Sequence, residues 1–374
     1  MPRCFLLLAL LLPVLAPAQA PLPPQVVGRA WVLADVSSGQ ILASEKADER
    51  FEPASLTKLM TAYLVFGALK EKKLALEQQV SVSERAWRAP GSRMFLEPRK
   101  PVTVDELIRG MIVQSGNDAC IALAEQVAGS EEAFAAAMNR EAERLGMKNT
   151  KYMNASGLPD PQHYSTARDL YLLASALIRD FPEQYAQYYP LREYRYNGIT
   201  QPNRNRLLWL DNTVDGVKTG FTEAAGYCLV ASSKRGPRRL LSVLLGSTSE
   251  SMRAQESQKL LNWGFQFFDA VRLYAGGATV KEIEVWKGAR ATLKAGFRDD
   301  LVVTVPKGMG EKLKAELLST SPLVAPVAEG SRVGNLRVML EGKPVGEYPV
   351  VALEPAAAAG LLGRAWDTLR LWFK

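Results

Sequence analysis

The stretch Pro53-Ala54-Ser55-Leu56-Thr57-Lys58-Leu59-Met60-Thr61 opens a run whose apolar positions continue at helical spacing through Tyr63, Leu64 and Phe66. The spacing puts Ser55 in the first turn of a largely apolar helix, with Lys58 on the same face three residues later. Two further words follow in order, Ser115-Gly116-Asn117 and Lys218-Thr219-Gly220. Each is weak alone: Ser and Lys are common, and on the order of one Ser-x-x-Lys match is expected by chance in a chain of this length. As an ordered set they supply a nucleophile, a base that is not histidine, and a cationic substrate clamp.

Upstream of this stretch, residues 29–44 alternate around the turn signal Ser37-Ser38-Gly39 and predict a strand hairpin. Downstream, Thr103-Val104-Asp105-Glu106 is a capping box opening a helix through Leu107, Ile108, Met111 and Ile112. Ser115-Gly116-Asn117 interrupts that helix, the pattern resumes over 119–127, and further helices are expected over 131–145 and 166–178. Strand character returns at 214–218, 227–232 and 240–245, followed by a helix over 253–268. A sheet drawn from both ends of the segment, with a helical block between, predicts an α+β domain over 21–275, packed from about residue 27. After Gly276-Gly277 the chain changes to short alternating runs separated by turn signals, which predicts a small all-β domain over 276–355 acting as spacer or docking module.

The 374 residues and 47% apolar content allow two packed domains and exclude a disordered or fibrous chain. Residues 1–20 are read as a cleaved export signal: Arg3 is the positive start, Cys4 to Leu15 the apolar run, and Ala18-Gln19-Ala20 the cleavage site. The alternative, an uncleaved span, needs roughly 20 apolar residues without the interruptions of Pro13 and Pro17. At the other end, residues 356–374 carry an amphipathic helix. Leu361, Leu362, Ala365, Trp366, Leu369, Trp372 and Phe373 share one face, Arg364, Asp367, Arg370 and Lys374 lie opposite, and Leu371 is the misfit. Residues 360–374 are therefore expected to lie in the plane of an anionic membrane surface, the alternative being a helix docked on its own protein.

Cys120 and Cys228, left after removal of Cys4, make neither a disulfide framework nor a metal set and read as small core residues. The single His163 excludes a multi-histidine metal site and leaves almost no room for a Ser-His-Asp triad. No cofactor is expected. The net charge of +7 is scattered and accompanies no nucleic-acid motif, so anionic substrates or an anionic membrane are the expected counterparts.

The chemistry follows from the three words. A serine is a poor nucleophile until its proton is taken, and a lysine takes it when burial, a helix N-terminus and a second cation, here Lys218, depress its pKa. Ser115 can relay a proton from Lys58 to a leaving amine, and Asn117 can hold a substrate amide and tether Lys58. Lys218 and Thr219 can bind a carboxylate, Gly220 leaves space for a substrate backbone, and the Phe221 and Ser55 amides can face a developing oxyanion.

These words and their flanks, Gln114-Ser115-Gly116-Asn117-Asp118-Ala119 and Asp215-Gly216-Val217-Lys218-Thr219-Gly220-Phe221-Thr222 among them, resemble the low-molecular-mass, type-5-like penicillin-binding proteins that are D-alanyl-D-alanine carboxypeptidases. The likeness covers nearly the whole mature chain. It implies a β-lactamase/transpeptidase-like catalytic domain, a serine acyl-transfer enzyme trimming the terminal D-alanine from peptidoglycan pentapeptides, and inhibition by β-lactams acylating the same serine. By the same resemblance Ser55 is the nucleophile and Lys58 its base. Ser115 and Asn117 form the second element, Lys218 and Thr219 the clamp, and Arg253, opening the run to Gly264, binds the terminal carboxylate. Phe221 departs from members that carry histidine after the glycine.

A β-lactamase needs a group that activates the deacylating water, in some enzymes the Glu of a Glu-x-x-x-Asn word. Glu193 to Asn197 matches in a strand-like run close before the third word, and is read as chance. A non-catalytic penicillin sensor or wall-binding module would keep the fold and lose the chemistry, yet every reactive position here is filled.

Overall fold

The computed structural model describes residues 21–371, so the expected signal over 1–20 and the last three residues, Trp372 and Phe373 among them, lie outside the described residues. Two compact units are present. One comprises Pro23–Gln266 with Val302–Thr304, and the other is built from Phe267–Leu301 and from Val305 onward.

The first unit is organised on a five-stranded antiparallel sheet. Its strands are β1 (Ala30–Asp35), β2 (Gln40–Glu45), β5 (Val214–Thr222), β6 (Gly226–Arg235) and β7 (Arg238–Ser247), in the order β2-β1-β7-β6-β5. Every residue of β1 is buried, because helices cover the sheet on both faces. The intervening block holds α1 (Lys58–Lys70), α2 (Val104–Val113), α3 (Asn117–Ala128), α4 (Glu131–Arg144) and α5 (Ala167–Asp180), and α6 (Glu250–Phe267) closes the unit. The α1 helix is apolar nearly all round, with Leu59, Met60, Ala62, Val65 and Phe66 fully buried, as a helix in the middle of a core must be. The Thr103 box caps α2 in both directions, Glu106 N–H to the Thr103 hydroxyl and Thr103 N–H to the Glu106 carboxylate. Glu193–Tyr196 and Ile199–Pro202 form a hairpin, β3 and β4, turning at Asn197 and Gly198, both at positive φ.

Two boundaries differ from expectation. Ser55 does not stand in the first turn of an α-helix. Ala54–Thr57 is a 3-10 turn that runs into α1 at Lys58. The turn is tightened from two sides: a Cβ on Gly157 would lie 1.8 Å from the Ala54 carbonyl oxygen, and one on Gly220 would lie 3.1 Å from that of Pro53. The α6 helix starts at Glu250, one turn before Arg253, and ends at Phe267, where the strand Phe268–Tyr274 takes over.

The second unit is the all-β region. Its main sheet comprises β8 (Thr279–Trp286), β9 (Thr292–Gly296), β10 (Leu313–Ser319), β11 (Leu323–Val324), β12 (Arg332–Leu340) and β13 (Lys343–Ala352), ordered β10-β12-β13-β9-β8-β11. Only the β8–β11 pair is parallel. A terminal helix, α7 (Leu361–Leu371), follows. Its Asp367 carboxylate accepts the Lys287 N–H at 2.7 Å, and the Arg370 guanidinium lies over the Trp286 ring at 5.6 Å. Leu361 and Trp366 remain 80% and 64% exposed, so the polar side of α7 meets the sheet unit while these apolar side chains face solvent.

Candidate active site

Lys58 is the first residue of α1, where the helix dipole disfavours a cation. Its amine is buried and surrounded by acceptors: Nζ lies 3.0 Å from Ser55 Oγ, 2.7 Å from Asn117 Oδ1 and 2.7 Å from the Ser156 carbonyl. Burial pulls its pKa down to about 8; the Arg204 cation acts in the same direction, while Cys120 and Asp118 oppose. The Ser156 carbonyl is aimed by Asn154, whose Oδ1 accepts the N–H groups of Ser156, Gly157 and Leu158 at 3.2, 2.7 and 3.1 Å. Sequence reasoning missed both residues.

Ser115 sits between α2 and α3 at φ 61°, a left-handed kink that turns its hydroxyl toward β5. There it accepts a hydrogen bond from Lys218 Nζ at 3.0 Å. Thus Ser115 pairs with Lys218, where the sequence had set it beside Lys58. Asn117 tethers Lys58 as expected, but its Nδ2 donates to the Pro90 carbonyl at 2.7 Å and its own N–H donates to the Ser92 carbonyl. The neighbouring Asp118 carboxylate accepts the N–H groups of Met94, Phe95 and Leu96. Asn117 and Asp118 therefore sew the loop over 90–96 to the start of α3.

Lys218, Thr219 and Gly220 lie on β5, the edge strand of the sheet. Burial drives the Lys218 pKa well below its usual range, with the Lys58 charge the next cause. Gly220 requires a correction. Its missing side chain makes room for the nucleophile turn, since a Cβ there would meet Pro53 O, Ala54 Cβ and Leu56 Cγ at 3.1 to 3.3 Å. The absent atom would point at the protein's own Ser55 turn, so the reason for glycine is packing rather than substrate clearance. Phe221 is 46% exposed, and its ring lies tilted at 38° against that of Tyr227 with centroids 4.5 Å apart.

A cavity of about 550 Å³ opens over these groups. Of the expected residues it is lined by Ser55, Ser115, Thr219, Gly220, Phe221 and Arg253, with Lys58, Asn117 and Lys218 buried behind that wall. Gly91, Ser92, Arg204, Tyr227 and Glu250 also line it and were not singled out from the sequence. Arg204 lies between two buried asparagines that fix its loop: Asn203 Oδ1 accepts the Asn205 N–H, and Asn205 Nδ2 donates to the Gly216 carbonyl. Arg253 is buried and donates to the carbonyls of Gly220 and Arg204 and to the Glu250 carboxylate, at 3.4, 3.2 and 3.0 Å.

The remaining candidates fall away from the cavity. Met153 N–H faces His163 Nδ1 at 3.4 Å and the His163 Nε2–H donates to Thr57 Oγ1 at 2.9 Å. Burial lowers its pKa to about 4, so this imidazole is a neutral core group behind the turn. Cys120 and Cys228 are buried free thiols, Cys120 pushed up to about 12 by burial. Glu193 is an exposed residue of the β3–β4 hairpin and is not part of the cavity wall.

The D-alanyl-D-alanine carboxypeptidase family (peptidase S11) matches residues 17–249, and the penicillin-binding protein 5 C-terminal domain matches residues 268–356. The chain is similar to the D-alanyl-D-alanine carboxypeptidases DacC and DacA of Escherichia coli, at 46% and 41% identity, each over 94% of this chain and 89% of the relative. Penicillin-binding protein 5 from Haemophilus influenzae superposes with a TM-score of 0.85 at 39% identity, covering 90% of this chain and 99% of that one. The ampicillin-bound form of penicillin-binding protein D2 from Listeria monocytogenes superposes at 0.60 with 30% identity, over 66% of this chain and 100% of that one.

Proposed function

This chain belongs to the D-alanyl-D-alanine carboxypeptidase family, and from that premise we propose that it removes the terminal D-alanine of peptidoglycan pentapeptides through an acyl-enzyme on Ser55. The observation that carries the assignment is the buried Lys58 amine 3.0 Å from Ser55 Oγ, beneath a cavity that also presents Thr219 and Arg253.

Ser55 Oγ attacks the carbonyl of the penultimate D-alanine while neutral Lys58 takes its proton. The negative oxygen of the tetrahedral intermediate is held by the Ser55 and Phe221 amides. Collapse breaks the peptide bond, and the proton that Lys58 took from Ser55 passes to the departing D-alanine amine through the Ser115 hydroxyl, which Lys218 orients, leaving Lys58 neutral again. Water then attacks the ester as neutral Lys58 takes its proton, and Lys58 returns that proton to Ser55 Oγ as the acid product leaves. Asn117 and the Ser156 carbonyl hold the Lys58 amine at the serine. The substrate's terminal carboxylate is met by Thr219 and Arg253, with Arg204 and Lys218 adding positive potential. β-Lactams acylate the same oxygen by ring opening, in keeping with the ampicillin-bound relative.

For placement, the export signal over 1–20 delivers the chain to the periplasm, and α7 lies in the outer face of the cytoplasmic membrane with Leu361 and Trp366 toward lipid. No helix among the described residues is long and apolar enough to cross a membrane.

Free D-alanine released from diacetyl-Lys-D-Ala-D-Ala, and its block by benzylpenicillin, test the activity. Mass spectrometry of the penicillin-treated protein locates the adduct; a peptide containing Ser55 that carries none refutes the assignment.

A further inference from the structure

The cavity holds one anion among its cations. Glu250, the first residue of α6, lines the wall shared by Ser55, Arg204 and Arg253, and its Oε1 accepts from Arg253 Nη2 at 3.0 Å. The two partners of this ion pair are unequally fixed. The Arg253 side chain is 5% exposed and is also bound to the Gly220 and Arg204 carbonyls, whereas the Glu250 side chain is 48% exposed. A carboxylate entering the cavity therefore meets a guanidinium that cannot move and a competing carboxylate that can.

We propose that Glu250 is a specificity-determining residue that competes with the substrate's terminal carboxylate for Arg253, setting how tightly carboxylate-ended acyl donors bind. The inference rests on the reading of Arg253 as the carboxylate anchor. A guanidinium has five N–H donors, so a second carboxylate can share Arg253. Sharing brings two negative charges within several ångströms of each other, and the Glu250 side chain either tolerates that repulsion or swings into solvent. Both responses weaken binding of the anion before any bond is broken, and neither touches the Ser55–Lys58 pair. An acyl donor that delivers the same acyl group without a carboxylate escapes the competition.

The test compares wild type, Glu250→Gln and Arg253→Gln, each as the full mature chain. The first donor is diacetyl-Lys-D-Ala-D-Ala and the second a neutral thioester, diacetyl-Lys-D-Ala ethyl thioester, which yields the same acyl-enzyme. Removing the charge while keeping the shape of Glu250 is expected to lower KM for the peptide by about three- to tenfold, the size of one unit charge at such a distance in a half-exposed site. The peptide kcat is expected to stay within about twofold, the thioester KM to stay unchanged, and the peptide effect to shrink in about 0.5 M salt. A peptide KM that is unchanged, or that falls equally for both donors, overturns the proposal. A raised peptide KM also overturns it, because Glu250 would then be holding Arg253 in place. Arg253→Gln separates the two layers of the argument. If it leaves the peptide KM unchanged, the anchor reading fails and takes this inference with it. If it raises that KM while Glu250→Gln does nothing, the anchor stands and the competition alone is refuted.

Discussion

The Lys58 amine sets a pH dependence that can be worked out in advance. Bringing its pKa from the ordinary 10.5 to about 8 corresponds to about 3 kcal/mol of disfavoured charge. At pH 7 roughly one molecule in ten then carries neutral Lys58, against roughly one in three thousand for an unperturbed lysine. The second-order rate of acylation by benzylpenicillin is expected to rise about tenfold from pH 7 to pH 9 and to level off there, with its midpoint near 8. Stopped-flow measurement from pH 6 to 10 reads this directly. Lys58→Arg, charged throughout the range, should lose at least about a hundredfold at every pH. A flat profile, one still climbing above pH 10, or an arginine variant within tenfold of wild type would refute the base assignment. Linkage gives a second reading of the same shift. Below about pH 8 the amine is protonated in both folded and unfolded chains, and the cost of the buried charge is fully present. Between about 8 and 10.5 the unfolded chain binds more protons, so this site contributes rising stability with pH.

Two other predictions follow from packing. Gly220→Ala puts a Cβ 3.1 Å from the Pro53 carbonyl and 3.3 Å from Ala54 Cβ, displacing the Ser55 turn by a few tenths of an ångström; acylation should slow by about tenfold or more while the melting temperature falls only a few degrees. Unchanged acylation in the folded variant would show that Gly220 does not set the serine's position. For the tail, the mature chain should float with anionic liposomes and a chain truncated after Pro355 should not. Equal flotation removes the anchor.

The elements that local pattern encodes are legible in the sequence itself. The Thr103–Glu106 box, the apolar run after Ser55, the alternation at 214–218 and 240–245, and the shift of texture after residue 276 each reflect neighbours within a turn or a pleat. The family resemblance rested on three such words and held across both units. What periodicity does not carry is which side chain faces which across the core. Lys58 meets Asn117 and Ser156 across 59 and 98 residues of chain, and Ser115 meets Lys218 across 103. Those pairings depend on how β5 lies beside the Ser55 turn and on the left-handed kink at Ser115 that aims its hydroxyl at Lys218 rather than Lys58. Gly220 shows the same division: its identity was read correctly from the strand, but the direction of its missing Cβ, into the Pro53–Leu56 turn, exists only once the sheet edge and the turn are packed together. Arg204 and Glu250 enter for the same reason, through loop and helix ends that only tertiary packing brings to the cavity. The sequence by itself names the candidate groups and the elements that bear them, because both are written in near neighbours. Tertiary structure decided their partners, their burial and therefore the charge on Lys58, because desolvation depends on everything that surrounds a group and not on its place in the chain.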